Sequence, residues 1–121
     1  MQERVRAVRG AITVERDTAE QIREATTELL HVMMERNALS ADEFISLFFT
    51  LTPDLGAEFP AVAARHMGLS GVPLLCAGEI DVPGAMPRCI RVMAHCHMPA
   101  QRPVRHVYLR EARQLRMDLP E

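Results

Sequence analysis

Two arginines stand inside apolar segments and are the first candidates for chemistry. Arg9 lies within residues 8–14, and Arg91 lies within residues 89–96. Side chains alternate between the two faces of a strand, so Arg91 would project away from its apolar neighbours. A buried arginine needs an anionic partner or ligand, because an isolated charge is too costly in an apolar environment. The alternative is an edge-strand arginine facing solvent, which the residues alone slightly favour for both positions.

A carboxylate and the only tyrosine occupy comparable places. Glu79 follows the apolar run of residues 74–78, and functional side chains collect where strands end in loops. The pattern fits a site carboxylate and a solvated loop residue equally well. Tyr108 lies in the strand-like run of residues 104–109, which is typical of a half-buried sheet tyrosine with its hydroxyl at the rim.

The run His95-Cys96-His97 has the residue types of a metal site but not the spacing. In a strand the two histidines face one side and Cys96 the other, which leaves two ligands where zinc needs three or four. We therefore predict no metal site. The sequence has no nucleophile at a recognised spacing from a histidine, no glycine-rich phosphate loop and no paired carboxylates. The residues indicate arginines that converge on an anion, without indicating a reaction.

The composition limits the classes of partner. The 121 residues carry a formal net charge of −2, and all 14 basic residues are arginine. Charges of both signs are interspersed without a basic run, so we expect no nucleic-acid partner. The longest uncharged stretch, residues 67–78, is far shorter than the roughly 20 residues that span a membrane. Three cysteines without a Cys-x-x-Cys pair favour a reduced, cytoplasmic protein, and residues 1–121 are predicted to form one domain.

Helical spacing of apolar residues marks one long helix. Asp17 or Thr18 can cap its first turn, with Glu20 or Gln21 three residues on to complete a capping box. Asn37 is suited to the end of the helix.

Strand-like runs account for most of the remaining chain. They occupy residues 5–14, 44–52, 72–76, 89–96 and 104–109, and a short helix after Pro60 ends before Gly68. Gly10, directly after Arg9, predicts a bulge or a close approach by another backbone or a ligand. The order of elements predicts a mixed α/β domain built on one sheet.

Six runs, in this order and spacing, make the sequence similar to the small monofunctional chorismate mutase family of the bacterial trimeric type, the AroH class. The resemblance extends nearly from end to end. The matching runs are Val8-Arg9-Gly10-Ala11-Ile12-Thr13-Val14-Glu15-Arg16-Asp17-Thr18, Thr52-Pro53-Asp54-Leu55 with Phe59-Pro60-Ala61, Val72-Pro73-Leu74, Glu79-Ile80-Asp81-Val82, Cys89-Ile90-Arg91-Val92-Met93, and Arg105-His106-Val107-Tyr108-Leu109 with Leu115-Arg116.

The resemblance implies a fold, an assembly and a reaction. The fold would be a mixed sheet with helices on one side, and the assembly a homotrimeric pseudo-barrel with active sites at subunit interfaces. The reaction would be the Claisen rearrangement of chorismate to prephenate in phenylalanine and tyrosine biosynthesis. A unimolecular rearrangement needs no nucleophile, acid–base pair or cofactor. The protein can instead confine the reactive conformer and stabilise separating charge.

The resemblance also implies roles for the residues singled out above. Arg91 would donate to the ether oxygen and to a substrate carboxylate, and Glu79 would accept the ring hydroxyl and favour positive charge on the ring. Arg9 and Tyr108 would bind the side-chain carboxylate, and Cys76 would assist Glu79 at the hydroxyl.

Further positions are implied to surround the substrate. These are the apolar walls Phe59 and Leu115, the lining residues Ala61 and Leu75, and the outer arginines Arg65 and Arg116.

The alternative hypothesis is a non-catalytic trimer that binds small carboxylates with the same fold and arginines. The pair Glu79 and Arg91 distinguishes the two hypotheses. A binding protein needs the arginine, but it has no use for a carboxylate beside an anionic ligand.

Overall fold

Five strands form one mixed β-sheet in a computed structural model that describes residues 2–119. In chain order the elements are β1 (Glu3–Thr13), α1 (Ala19–Arg36), β2 (Phe44–Leu51), α2 (Ala61–Ala64), β3 (Leu74–Gly78), β4 (Cys89–Pro99) and β5 (Val107–Tyr108). Strand order is β3-β2-β4-β1-β5, with β4 antiparallel to β1 and β2, and the pairs β2–β3 and β1–β5 parallel. The predicted mixed α/β architecture is confirmed.

Alternation along the strands separates two faces of the sheet. One face packs against α1 and α2, and its β4 residues are almost completely buried: Ile90, Val92, Ala94, Cys96 and Met98. The other face, which we call the open face, carries the intervening side chains, among them Arg91, Met93, His95 and His97. A 3-10 turn at Arg110–Arg116 covers one end of the open face and buries Ala11 and Cys89 there.

The strand order decides where the two strand arginines lie. β4 lies between β1 and β2, so Arg91 is on the central strand, with Ala11 and Thr50 as its neighbours on either side. β1 is flanked by β4 and β5, so Arg9 is also on an interior strand. The edge-strand interpretation was wrong for both residues, because β4 pairs into the middle of the sheet and β5 adds beyond β1. Arg9 is nevertheless exposed, as that interpretation expected.

The long helix begins and ends as the sequence predicts, with one difference at its cap. The Thr18 hydroxyl accepts from the Gln21 backbone N–H. The Gln21 side chain does not return the bond, because its carbonyl oxygen already accepts from Glu15 and Arg16. The capping box is therefore half formed. Asn37 is fully buried at the other end. Within residues 2–119 no helix combines the length and apolar character needed to cross a bilayer.

The last strand is much shorter than residues 104–109. The Asn37 side chain donates to the Arg105 carbonyl and accepts from the Arg105 N–H, so this part of the chain bonds to the end of α1 and not to β1. β5 pairs with β1 only at Val107 and Tyr108. The 3-10 turn that follows has no counterpart in the sequence prediction, and it begins at Arg110 with a φ of 56°.

Gly10 is a point of close approach, and its neighbours are core side chains. The register of β1 against β4 runs without interruption through Gly10, so there is no bulge. A Cβ built on Gly10 would lie 2.5 Å from Met33 Sδ, 3.1 Å from Leu29 Cδ1 and 3.2 Å from Val92 Cγ1. The glycine lets α1 pack directly onto β1 behind Arg9.

We expect Gly10→Ala to lower the free energy of unfolding by about 1–3 kcal/mol, because the added methyl overpacks the contact between α1 and β1. Chemical denaturation measures the change. The matched control is Gly78→Ala at the end of β3, where nothing lies within 4 Å of the added Cβ. Equal stability of the two variants would show that the core around Gly10 is loosely packed.

Candidate active site

Arg91 forms the centre of a group of polar side chains on the open face. Its Nε lies 3.2 Å from Glu79 Oε2, and the two side chains are 39% and 18% exposed. The ion pair is close, yet among residues 2–119 the Nε–H has no hydrogen-bond partner although the nitrogen is buried. A charged donor is thus held near a carboxylate with its hydrogen available to a third group.

Glu79 is fixed at both its backbone and its side chain by β2. Its N–H donates to the Leu51 carbonyl at 2.8 Å, just beyond the end of β3. Its Oε2 accepts from Thr50 Oγ1 at 2.6 Å. These contacts contradict the alternative of a solvated loop carboxylate.

Thr50 was not singled out from the sequence. It shares a face of β2 with Ser46 and Phe48, and its register partner on β4 is Arg91. A hydroxyl within the apolar run of residues 47–51 was the available signal. Thr50 links Glu79 to the sheet beside Arg91.

Arg9 and Tyr108 face the same cavity as Arg91. This cavity has a volume of about 260 Å³ and is lined by Arg9, Gly10, Phe48, Thr50, Arg91, Val92, Met93 and Tyr108. Tyr108 is buried, at 8% exposure, rather than half-buried. A larger cavity near Arg110 contains none of the predicted site residues, so size alone does not mark the site.

Burial and nearby arginines shift the pKa values of two groups beside this cavity. Burial raises the pKa of the Cys89 thiol to about 11, with Arg91 opposing the shift, so this cysteine stays protonated at neutral pH. Burial, with Arg9 and Arg116 adding to it, lowers the pKa of His106.

Arg116 holds the Asp118 carboxylate by two hydrogen bonds, Nε to Oδ1 at 3.0 Å and Nη2 to Oδ2 at 2.9 Å. The arrangement suits an anion with more than one carboxylate.

Glu79 contacts Arg91 but lines a neighbouring cavity, and the other predicted site residues do not line the cavity around Arg91 either. Phe59 and Leu75 are exposed, at 65% and 56%, and Arg65 is exposed too, whereas Ala61 is buried. Cys76 is the register partner of Phe49 and packs on the core at the helix side of the sheet. Leu115 packs beside Tyr108. One chain therefore assembles Arg91, Glu79, Arg9 and Tyr108, with Leu115 and Arg116 nearby, and leaves the remainder elsewhere.

The histidine–cysteine run on β4 is divided between the two faces as its parity predicts. Cys96 is fully buried in the helix-side core, and His95 and His97 are on the open face. Among residues 2–119, no three histidine, cysteine or acidic side chains converge on one point.

The family model for chorismate mutase type I matches residues 5–119. The chain belongs to this family. It is 55% identical to chorismate mutase AroH of Thermus thermophilus over 118 residues, covering 95% of this chain and 96% of the relative. It is 43% identical to chorismate mutase AroH of Bacillus subtilis (strain 168) over 117 residues, covering 95% and 92%.

A solved chorismate mutase has the same fold. The structure from Clostridium thermocellum superposes with a TM-score of 0.88 at 48% identity, covering 91% of this chain and 99% of that one. Chorismate mutases isomerise chorismate to prephenate, so the chain is an isomerase of aromatic amino acid biosynthesis. No observation favours the alternative of a non-catalytic carboxylate binder.

Proposed function

We propose that Arg91 and Glu79 are the catalytic residues of this chorismate mutase and that they act by electrostatics. The observation that carries the proposal is the buried Nε–H of Arg91, which makes no hydrogen bond within residues 2–119. The nitrogen lies 3.2 Å from Glu79 Oε2, beside a cavity that Arg9 and Tyr108 also line. A preorganised donor of this kind stabilises negative charge as it develops and needs no reorganisation during the reaction.

Each member of the pair acts on one end of the separating charge. As the ether C–O bond breaks, the oxygen gains negative charge and accepts a hydrogen bond from Arg91. The guanidinium fork has further N–H groups for a substrate carboxylate. The ring fragment gains positive charge. The Glu79 carboxylate stabilises this charge and also accepts a hydrogen bond from the ring hydroxyl. The Thr50 hydroxyl holds the Glu79 carboxylate in place at 2.6 Å.

The remaining cations hold the substrate in its reactive conformation. Arg9 and Tyr108 bind the side-chain carboxylate, because both line the cavity that contains Arg91. Arg116 is one of the two outer arginines, with Arg65, and its two-pronged contact with Asp118 is the geometry in which a guanidinium binds a carboxylate. Leu115 packs beside Tyr108 and supplies an apolar wall. Restricting the substrate in this way supplies the entropic part of catalysis.

The chain acts as a homotrimer in this proposal, with neighbouring subunits completing each site. The open face carries large exposed apolar side chains, among them Val5 at 58%, Phe48 at 44% and Leu75 at 56%. A sheet with one uncovered apolar face favours burial against another layer. The second subunit would bring the exposed Phe59, Arg65 and Leu75 to the substrate, whereas Ala61 is buried and Cys76 packs on the helix-side core.

Three free thiols support a reducing compartment, and we place the enzyme in the cytoplasm.

Mixing two inactive variants tests the shared site. Arg91→Ala removes the central donor, and Arg65→Glu reverses an outer charge, so each homotrimer should have little activity. In randomly mixed trimers about one quarter of the sites would combine an intact Arg91 with an intact Arg65 from the next subunit, and activity should return to about that fraction.

The control mixes Arg91→Ala with Glu79→Gln. Arg91 and Glu79 are 3.2 Å apart within one chain, so no mixed trimer contains a complete pair and activity should stay low. Failure of the Arg65 mixture to recover, despite exchange of subunits, would place both arginines on one chain and contradict the interface site.

A further inference from the structure

The backbone of Arg9 is bonded to an imidazole. Arg9 N donates to His106 Nδ1 at 2.9 Å. In a parallel ladder such an N–H would donate to a carbonyl of the neighbouring strand. β5 begins only at Val107, and the Arg105 carbonyl is already bonded to Asn37, so His106 supplies the acceptor in its place.

This hydrogen bond joins Arg9, which lines the site cavity, to the segment that leads into Tyr108, which also lines it. Arg9 is the neighbour of Gly10, whose register partner is Val107, and His106 precedes the strand that ends in Tyr108. The bond therefore ties the part of β1 that carries Arg9 to the segment that carries Tyr108.

We infer that His106 is a positioning residue, whose unprotonated Nδ1 holds Arg9 and Tyr108 in register for the substrate carboxylate. The inference rests on the roles proposed above for Arg9 and Tyr108. His106 itself does not line the cavity, so it acts through its neighbours.

The interaction depends on the protonation state of the ring. Nδ1 accepts only when it carries no proton, and a protonated imidazole would direct an N–H against the Arg9 N–H. The charged groups that act on the ring are Arg9 on β1 and Arg116 on the 3-10 turn. Burial first, and then these two arginines, lower the pKa of His106, which keeps the ring neutral at physiological pH.

Three variants separate positioning from a merely structural role. His106→Asn keeps an acceptor oxygen near the position of Nδ1 but cannot be protonated. His106→Leu removes the acceptor. His31→Asn, on the exposed side of α1, is the matched control. For each, KM for chorismate, kcat and the melting temperature are measured from about pH 8 down to about pH 4.

We expect His106→Leu to raise KM about fivefold to tenfold at neutral pH, with little change in kcat, because one orienting hydrogen bond is lost. His106→Asn should restore a KM near that of the wild type. On acidification, below the ordinary histidine pKa of about 6.5, the KM of the wild type and His31→Asn should rise relative to that of His106→Asn.

Three results would overturn the inference. A KM for His106→Leu equal to wild type, or a ratio of wild-type to His106→Asn KM that stays constant with pH, would show that the bond does not position the site. A loss of kcat and melting temperature at constant KM would assign His106 to the stability of the fold. Arg9→Ala, measured in parallel, separates this from a failure of the proposed function, since an unchanged KM there would remove Arg9 from the site.

Discussion

We expect Arg91→Lys to lower kcat about a thousandfold or more, and Arg91→Ala to lower it at least as far. The Nε–H of Arg91 is buried beside Glu79 and makes no hydrogen bond within residues 2–119, and the guanidinium has further N–H groups that can bind a carboxylate. Lysine carries the charge on a single nitrogen and cannot make both contacts from one planar group. Removing one preorganised donor typically costs about 3–4 kcal/mol of transition-state stabilisation, and here the donor is charged.

The measurement is the loss of the enolpyruvyl-diene absorbance of chorismate, with melting temperatures recorded for each variant. Arg36→Lys, at the end of α1, is the control for an arginine outside the site. The melting temperature should change little, because Arg91 is 39% exposed and a pair of that exposure contributes at most about 1 kcal/mol.

Two outcomes would contradict the role of Arg91. Activity near that of the wild type in Arg91→Lys would show that charge without the fork is sufficient. Activity lost only in proportion to the unfolded protein, with the kcat of the folded fraction unchanged, would assign Arg91 to the fold.

Local periodicity was sufficient to predict which face of a strand each residue occupies. The alternation along β4 placed Arg91 opposite Ile90 and Val92, and the structure confirms it. Periodicity does not determine the order of the strands in the sheet, because that order depends on pairing between residues far apart in the chain. The edge-strand interpretation of Arg9 and Arg91 was wrong for that reason.

Side chains that bond to distant backbone groups limited the prediction of strand lengths. The Asn37 side chain hydrogen-bonds to both the N–H and the carbonyl of Arg105, and the His106 ring accepts from the Arg9 N–H. These bonds replace strand pairing, so β5 has only two residues. Composition gave no indication of either bond. The same limit applied to Thr50, whose value lies in a 2.6 Å contact with a residue 29 positions away.

The site itself could be only partly located from one chain. The residues on the open face near Arg91 converge within the subunit, whereas Phe59 and Arg65 project into solvent. Only the resemblance to a trimeric family connected the two groups, since no spacing in the sequence encodes a contact between subunits. The mixing of variants tests that connection.

Glu79→Gln should lower kcat by about a hundredfold to a thousandfold, while the mass of the protein in solution stays that of the wild type. Glutamine has the shape of glutamate, and its carbonyl oxygen can still accept from Thr50, so the geometry around Arg91 is kept. What is lost is the negative charge that stabilises the ring fragment as it becomes positive. Thr50→Val leaves the Glu79 carboxylate but removes its hydrogen bond at 2.6 Å, so we expect it to lower kcat about tenfold.

The dissociation constant and KM for chorismate distinguish catalysis from binding at Glu79. The ground-state substrate is an anion, so a carboxylate beside it weakens binding, and Glu79→Gln should bind chorismate as tightly as the wild type or more tightly. A lower kcat together with an unchanged or lower KM is the signature of a group that acts in the transition state. Weaker binding of chorismate at an unchanged kcat would instead make Glu79 a contact for the ring hydroxyl alone. In that case Arg91 would supply the electrostatic stabilisation without a carboxylate partner.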